Sequence, residues 1–415
     1  LRQADAGQFS QQQAKRLIAA VLALEAIAFT GGITVAPLII EGMVADKAAT
    51  SAVLGAYLAI GAFVAFIASP VLGSLSDAYG RRPVLIWSLV CATAANVILA
   101  LAPTISVFFF GRIISGLAGA TMATCYAYAS DITQDDERTG IFGFLGAVFG
   151  LGLIAGPAVG GILGEWNDRT PFLAAAVLCA ASTTFVIARL PESLPPKLRT
   201  PFSWANANPA GSFALLIRRP RLWRGSVLYF LMQNATNVVL AMFVLYTTDR
   251  YGWSGLSAGL AMAATGVLRA VVQVVLVERL STRSGDRATI ILGLGFGVVG
   301  FSIWSFAPTG AFFLTGIPFV ALLSLSSPSV MSIMTRDVSP SEQGQLQGAL
   351  NAISAVAGVT APFLFGAIYA FVAAKHPPVA LQGAPFLMGA LVLLVAAGIA
   401  AYLSPRTQLA AGNAP

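Results

Sequence analysis

Charge and histidine are scarce in this chain. Only 10% of its 415 residues are charged, against about 25% in a soluble domain. A water-facing surface needs more, so most of this surface does not face water. The single histidine, His376, excludes multi-histidine metal sites and is badly placed for a Ser-His triad. Four lysines are present (Lys15, Lys47, Lys197, Lys375) and none follows a glycine. A Walker A loop needs Gly-Lys-Ser/Thr to cradle phosphates, so ATP hydrolysis by this chain is excluded. Cys91, Cys125 and Cys179 all fall in apolar runs, with neither metal spacing nor a disulfide framework. No cofactor and no metal are expected.

Apolar residues are abundant: they make up 57% of the chain, and the mean hydropathy is +0.80. About twenty apolar residues span the hydrocarbon of a bilayer. Apolar windows predict twelve spans, near 16–40, 51–73, 83–102, 105–131, 138–163, 170–190, 221–247, 255–280, 287–306, 309–335, 342–372 and 381–403. No cleavable signal precedes them; "QQQAKRLIAAVLALEAIAF" runs straight into the first. The polar, Pro-rich stretch 191–220 divides six spans from six, and a short amphipathic helix is predicted near Phe213–Ile217. The expected domains are therefore a bundle over 1–190, a cytoplasmic linker over 191–220 and a second bundle over 221–415.

The basic residues orient the chain. With both termini inside, Lys47, Arg169, Arg250 and Lys375 lie outside, Arg112 and Arg269 lie within spans, and 18 of the 24 basic residues lie on the inner side. The net charge of +7 is thus a positive-inside signature and not a nucleic-acid footprint. Glu25 is the one acid in mid-span.

An offset of 205 positions aligns the two halves. Gly61, Leu75, Ser76, Gly80, Arg82, Gly111, Gly143, Pro157 and Gly161 meet Gly266, Leu280, Ser281, Gly285, Arg287, Gly316, Gly348, Pro362 and Gly366. A gap-free register across three spans implies a parallel repeat about the membrane normal, a transporter plan in which two bundles rock around a central site. The expected fold is all-α and integral to the membrane, with twelve helices in two pseudo-symmetric bundles.

Between spans two and three stands "GSLSDAYGRRP". Gly73 allows close helix approach, Asp77 suits a facing helix N-terminus, Gly80 allows a tight turn, and Arg81 and Arg82 can pair with acids. Span four carries "GRIISGLAGA" around Arg112. Span five reads Gly143-x8-Gly152-x3-Gly156-Pro157-x2-Gly160-Gly161. Its small residues allow close packing in lipid, and Pro157 removes a backbone donor.

These strings resemble the signatures of the major facilitator superfamily and, in span five, of its drug/proton antiporters. "GRRPVLIWSL", "FGFLGAVFGLGLIAGPAVGG", "YGWS", "VMSIMT" and "GQLQGALNAISAVAGVTAPFLFGAIY" are similar to the tetracycline/proton efflux pumps. The resemblance implies a cytoplasmic gate of Gly73, Asp77, Gly80, Arg81, Arg82 and Asp131 that clasps the halves shut. It also implies a bacterial inner-membrane transporter that couples protons to small-molecule export. There are departures. The pumps' acids in spans three and nine are replaced by Ala95 and Gly297 and their span-eight histidine by Arg269, while Gln273 and the span-one acid, Glu25, are kept.

The residues point to an amphipathic cavity. Arg269, Gln273 and Thr265 share a face of span eight, and Gln233 and Asn237 one of span seven with Asn234 beside them. Ser324, Ser327 and Asn351 add polar wall; Phe29, Tyr57, Phe149 and Tyr229 are the aromatic candidates. At 1.5 Å per residue, Glu25 lies about 14 Å in and Arg269 about 18 Å in, which allows them to meet; Arg112, about 28 Å in, is the poorer partner. Glu25 is the expected proton carrier, tuned by Arg112. Three functions remain open: proton-coupled export of amphipathic drugs, carriage of organic anions or zwitterions held by Arg269, and a receptor that moves nothing. The expected partners are a small-molecule substrate, protons and lipid, with a monomer as the working unit. Gly295-x-Gly297-x-x-Gly300 spells a dinucleotide fingerprint but has no preceding strand, and is read as helix packing.

Overall fold

The computed structural model describes residues 11–44, 47–133, 138–202, 204, 216–217, 219–338, 343–373 and 382–402. Twelve helices in it are long and apolar enough to cross a membrane. In the first half they are α1 (Gln11–Met43), α2 (Lys47–Tyr79), α3 (Arg81–Leu101), α4 (Ile105–Asp131), α5 (Arg138–Gly164) and α6 (Thr170–Arg189). In the second they are α7 (Pro220–Tyr251), α8 (Gly255–Val275), α9 (Val277–Phe306), α10 (Gly310–Arg336), α11 (Gln343–Ala373) and α12 (Ala384–Ala401). Their outer faces carry large exposed apolar side chains such as Phe63, Leu151, Phe185, Val274 and Phe371. In water these would be a gross liability; facing acyl chains they cost nothing. The chain is a multi-pass membrane protein. Of the predicted linker helix, only residues 216–217 are described and helical, and Phe213 lies outside the described residues.

The repeat is visible in the backbone. Gly80, between α2 and α3, has φ 113°, and its counterpart Gly285 has φ 79°. Only glycine adopts such angles without strain. Gly285 breaks α9, so residues 277–284 correspond to the last two turns of α2; the predicted eighth span ended inside them. Both halves also interrupt the fourth helix at matching positions. In α4, residues 118–120 form a turn in which the amides of Ala118, Gly119 and Thr121 reach back only three residues. In α10, Leu323–Leu325 is a 3-10 turn.

The same register exposes a reversed charge pair. Arg81 Nε lies 3.0 Å from Asp131 Oδ2, while Arg336 lies 3.0 Å from Asp286. Asp286 occupies the place of Arg81, and Arg336 the place of Asp131. Even the accessory hydroxyl repeats: Ser76 accepts from Arg81, and Ser281 donates to Asp286. Each pair ties the start of one helix to the end of the next within its own half. Asp286 is buried and Arg336 is largely exposed, so the acid is the member that suffers when its partner goes. Arg336→Asp should cost on the order of 1–3 kcal/mol, by loss of charge-assisted hydrogen bonds to a buried carboxylate. Adding Asp286→Arg should recover most of it, and thermal unfolding in detergent measures both.

The halves meet along α2 with α11 and along α5 with α8. Both seams are glycine contacts near the same end of the bundle. A Cβ at Gly55 would lie 2.5 Å from the Pro362 carbonyl oxygen, and one at Gly259 would overlap that of Pro157. Gly366 sits over Ser51 and Gly55, and Gly161 over Gly255 and Leu256. Farther along the seams, Gly266 still meets Ile154, while Gly73 of α2 and Gly150 of α5 have no described atom within 4 Å of an added Cβ.

Candidate functional site, a central cavity with two buried charges

A cavity of about 620 Å³ lies between the halves. Its wall runs along α2 from Leu58 through Ala62, Phe66 and Ser69 to Pro70, and along α11 from Gly348 through Asn351 and Ser354 to Pro362. Phe29 and Ile33 of α1, Arg112 and Gly119 of α4, and Asn237, Leu240 and Ala241 of α7 complete it. The contact of Gly55 with Pro362 and Gly366 bounds one end of the lining, and at the other end the lining reaches Ser69 and Pro70 of α2 and Gly348 of α11. Among the described lining residues, Arg112 is the single ionisable one.

Arg112 is buried, 8% exposed. Its Nε donates to the Tyr57 carbonyl at 3.3 Å, and its guanidinium carbon sits 5.0 Å from the Tyr57 ring centroid and 5.7 Å from that of Phe29. Gly61 creates the room, because any side chain there would occupy the guanidinium's place. Two aromatic faces hold the cation, and among the described residues no acid pairs with it. A bare guanidinium in a membrane interior is costly unless water or a partner reaches it.

Glu25 stands behind this wall. A side cavity of about 50 Å³ is lined by Glu25, Phe29, Ile33, Tyr57, Asn96, Arg112, Ser115 and Cys179, among others. Phe29, Ile33 and Arg112 border both cavities. The interrupted turn of α4 brings Thr121, whose hydroxyl donates to the Ala118 carbonyl at 3.1 Å, beside Glu25. The carboxylate oxygen Oε2 is buried with no partner among the described residues. The matching turn of α10 faces no acid, because the position equivalent to Glu25 is Phe230.

The remaining expected site residues divide. Asn237 lines the cavity. Gln233 donates to Ser354 at 3.2 Å, and Ser354 to Tyr229 at 3.3 Å. Asn234 accepts from Thr360 at 2.9 Å. These bonds fasten α7 to α11, so Gln233 and Asn234 act as glue between helices while Ser354, unremarked in the sequence, faces the cavity. Arg269, Gln273 and Phe149 line neither cavity. Arg269 lies beside α10, where its carbonyl accepts from Ser324, and Gln273 borders a separate hollow with Asp286 and Ser332. The meeting of Glu25 with Arg269 expected from depth is not made: equal depth on different helices says nothing about which way each side chain turns. Arg112, expected to be the poorer partner, is the cation that shares a cavity with Glu25.

In the span-five string, Gly152, Gly156 and Gly160 press on α1 at Ala26, Thr30 and Gly31, while Gly161 and Pro157 press on α8. Gly143 lies on the same helix, nearer its start.

The loop residues form one network. Arg81 bonds Asp131 and Asp77, and Arg82 donates to the Ile187 carbonyl at 2.7 Å. An added Cβ at Gly73 would meet no described atom within 4 Å, so among the described residues no helix packs closely on that side of it. Glu192, which the sequence reading passed over, accepts from the backbone amides of Arg81 at 2.8 Å and Arg82 at 3.2 Å and so caps α3. Ser193 donates to Asp131 at 2.8 Å. A carboxylate directly after α6, on the side facing the loop, was the available signal. All these contacts stay within the first half and the start of the linker. The clasp between halves implied by the resemblance has no contact among the described residues.

Two six-helix bundles around a cavity sealed at one end are the architecture of a solute transporter that rocks about its site. The sequence profile described as Major Facilitator Superfamily matches residues 21–362 and 229–414, and the chain belongs to that superfamily. It is 36% identical over 319 residues to the class C tetracycline resistance protein of Escherichia coli, which covers 76% of this chain and 80% of that protein. It is 30% identical over 359 residues to the class H protein of Pasteurella multocida, covering 86% and 88%. Among solved structures, a D-xylose-proton symporter superimposes with a TM-score of 0.76 at 18% identity, covering 96% of this chain and 98% of that one. A human organic anion transporter superimposes at 0.67 and 20% identity, covering 94% and 99%. At such identities the two structures share the fold alone.

Proposed function

We propose that this chain is a proton-coupled efflux transporter of amphipathic drugs that works by alternating access, as a monomer, in the bacterial inner membrane with both termini in the cytoplasm. It performs transport and no covalent chemistry. The observation that carries the reading is Glu25: a carboxylate in mid-membrane, with one oxygen buried and unpartnered, beside the cavity that would hold substrate. Relatedness to tetracycline resistance proteins supports the drug and the direction.

The mechanism follows from the cost of burying charge. A carboxylate enclosed by apolar walls favours its protonated form, and one reached by water or a cation favours ionisation. In the present arrangement the cavity opens at the basic end, taken as cytoplasmic from the positive-inside rule. There a drug enters and a proton leaves Glu25. Closure at Gly73 and parting of the two glycine seams would open the cavity to the other side, where a proton replaces the drug. Arg81, Asp77, Asp131 and Glu192 hold the loop ready to meet the second half on that closure.

The test is transport in inside-out vesicles or proteoliposomes. An imposed pH gradient, acid inside, should drive accumulation of a tetracycline or another amphipathic drug, and nigericin should abolish it. Accumulation indifferent to the gradient would overturn proton coupling, and no movement of any solute would favour the receptor reading.

A further inference from the structure

The two buried charges both border the side cavity, and among the described residues no ion pair joins them. Arg112 also faces the large cavity; among the described residues its one hydrogen bond goes to a backbone carbonyl and no acid lines that cavity. Glu25 faces the side cavity with an oxygen that no described residue satisfies. That cavity, about 50 Å³, is enough for one or two waters or an ammonium group. A ligand that satisfies both must carry an anionic group and a cationic group on an apolar body. From this we infer that the preferred substrate class is zwitterionic: an acidic group on Arg112, an ammonium group toward Glu25, and an aromatic body among Ile33, Leu58, Phe66 and Leu240.

The inference rests on the transport reading and deepens it, because charge also sets the direction of coupling. An anion without an ammonium is repelled by ionised Glu25, so it binds best when Glu25 holds a proton, and the two would travel together. An ammonium toward Glu25 reverses this. It needs the ionised carboxylate, so substrate and proton exclude one another, which is the condition for exchange.

A matched set of fluorescent probes tests the class: Nε-dansyl-lysine (zwitterion), dansylcadaverine (the same molecule without its carboxylate) and 6-(dansylamino)hexanoate (the same without its α-amino group). Equilibrium titrations are made on the purified full chain in detergent, with no pH gradient. The zwitterion should bind at least about tenfold tighter than either partner, since each charge would gain a charge-assisted contact. Arg112→Gln should erase the advantage over dansylcadaverine and spare the advantage over the hexanoate. Glu25→Gln should do the reverse. Arg112→Lys, which keeps the charge, should retain part of the preference, and an intact thermal transition certifies each variant. Equal or tighter binding of either single-charge probe overturns the inference. So does a preference that survives in both Gln variants, or the absence of saturable zwitterion binding. Because no gradient is used, these outcomes are independent of the vesicle assay: a zwitterion preference without proton-driven transport would sink the efflux reading and leave the ligand class standing.

Discussion

Replacing Glu25 by Gln should abolish accumulation driven by a pH gradient while leaving the protein folded and able to exchange substrate down its own gradient. Gln keeps the volume and the reach of the side chain beside Thr121. It removes the one group beside the cavity that can take up and release a proton, since among the described residues no other acid borders either cavity. Gradient-driven accumulation should fall to the background rate, because an intramembrane ionisable residue beside the cavity is the proton site by this reading. Counterflow, which needs only binding and rocking, should fall far less. Proton-driven uptake by Glu25→Gln at wild-type rate would dismiss Glu25 as the carrier and leave it as a buried structural acid. Folding cost should be small or negative, because a neutral amide is cheaper to bury than an unsatisfied carboxylate.

The second large effect is expected at the glycine seams. Gly259 meets the Pro157 carbonyl, and Gly55 meets the Pro362 carbonyl. Both obstacles are backbone, so an added methyl cannot be accommodated by rotating a side chain. Gly259→Val or Gly55→Val should prevent closure at this end and strand the transporter in the opposite orientation. Overpacking of this kind costs about 1–3 kcal/mol, which moves a two-state balance by roughly 5- to 150-fold. A cysteine placed at Leu58, on the cavity wall, reports the shift. Labelling by a membrane-impermeant maleimide from the outer side should rise in the seam variants, and transport should fall at least about tenfold. Gly398→Ala is the control: it lies on α12, on neither seam, with nothing within 4 Å of an added Cβ, and it should change neither reading. Seam variants that transport normally would show that these contacts do not gate the cavity.

How much was legible in the sequence can be judged residue by residue. The spans were legible because hydrocarbon demands length and apolarity locally. The duplication was legible because glycines and prolines recur at one offset. The offset carries more than identical residues: it pairs Arg81 with Asp286 and Asp131 with Arg336, a reversal that a search for identities misses because no letter matches. Glu25 stood out as the lone mid-span acid, and Arg112 by the cost of its charge. Their relation to other side chains was not legible. Depth along a helix is set by 1.5 Å per residue, but facing is set by how helices pack. Arg269 shares Glu25's depth and still turns elsewhere, whereas Arg112 reaches the side cavity because Gly61 leaves space and Phe29 and Tyr57 hold its ring-facing plane. Gln233 and Asn234 have the periodicity of a cavity face and are spent on bonds to α11.

By itself the sequence determined that this chain lives in a bilayer as twelve helices in two related halves, because solvent and repeat act through composition and spacing, which are written along the chain. Only the tertiary structure decided which glycine contacts join the halves, which polar residues meet the cavity, and that the buried acid and the buried cation border one side cavity with no ion pair among the described residues. Those outcomes depend on the azimuth of each helix and on a few glycine contacts between segments a hundred or more residues apart, and no local property of the chain encodes them.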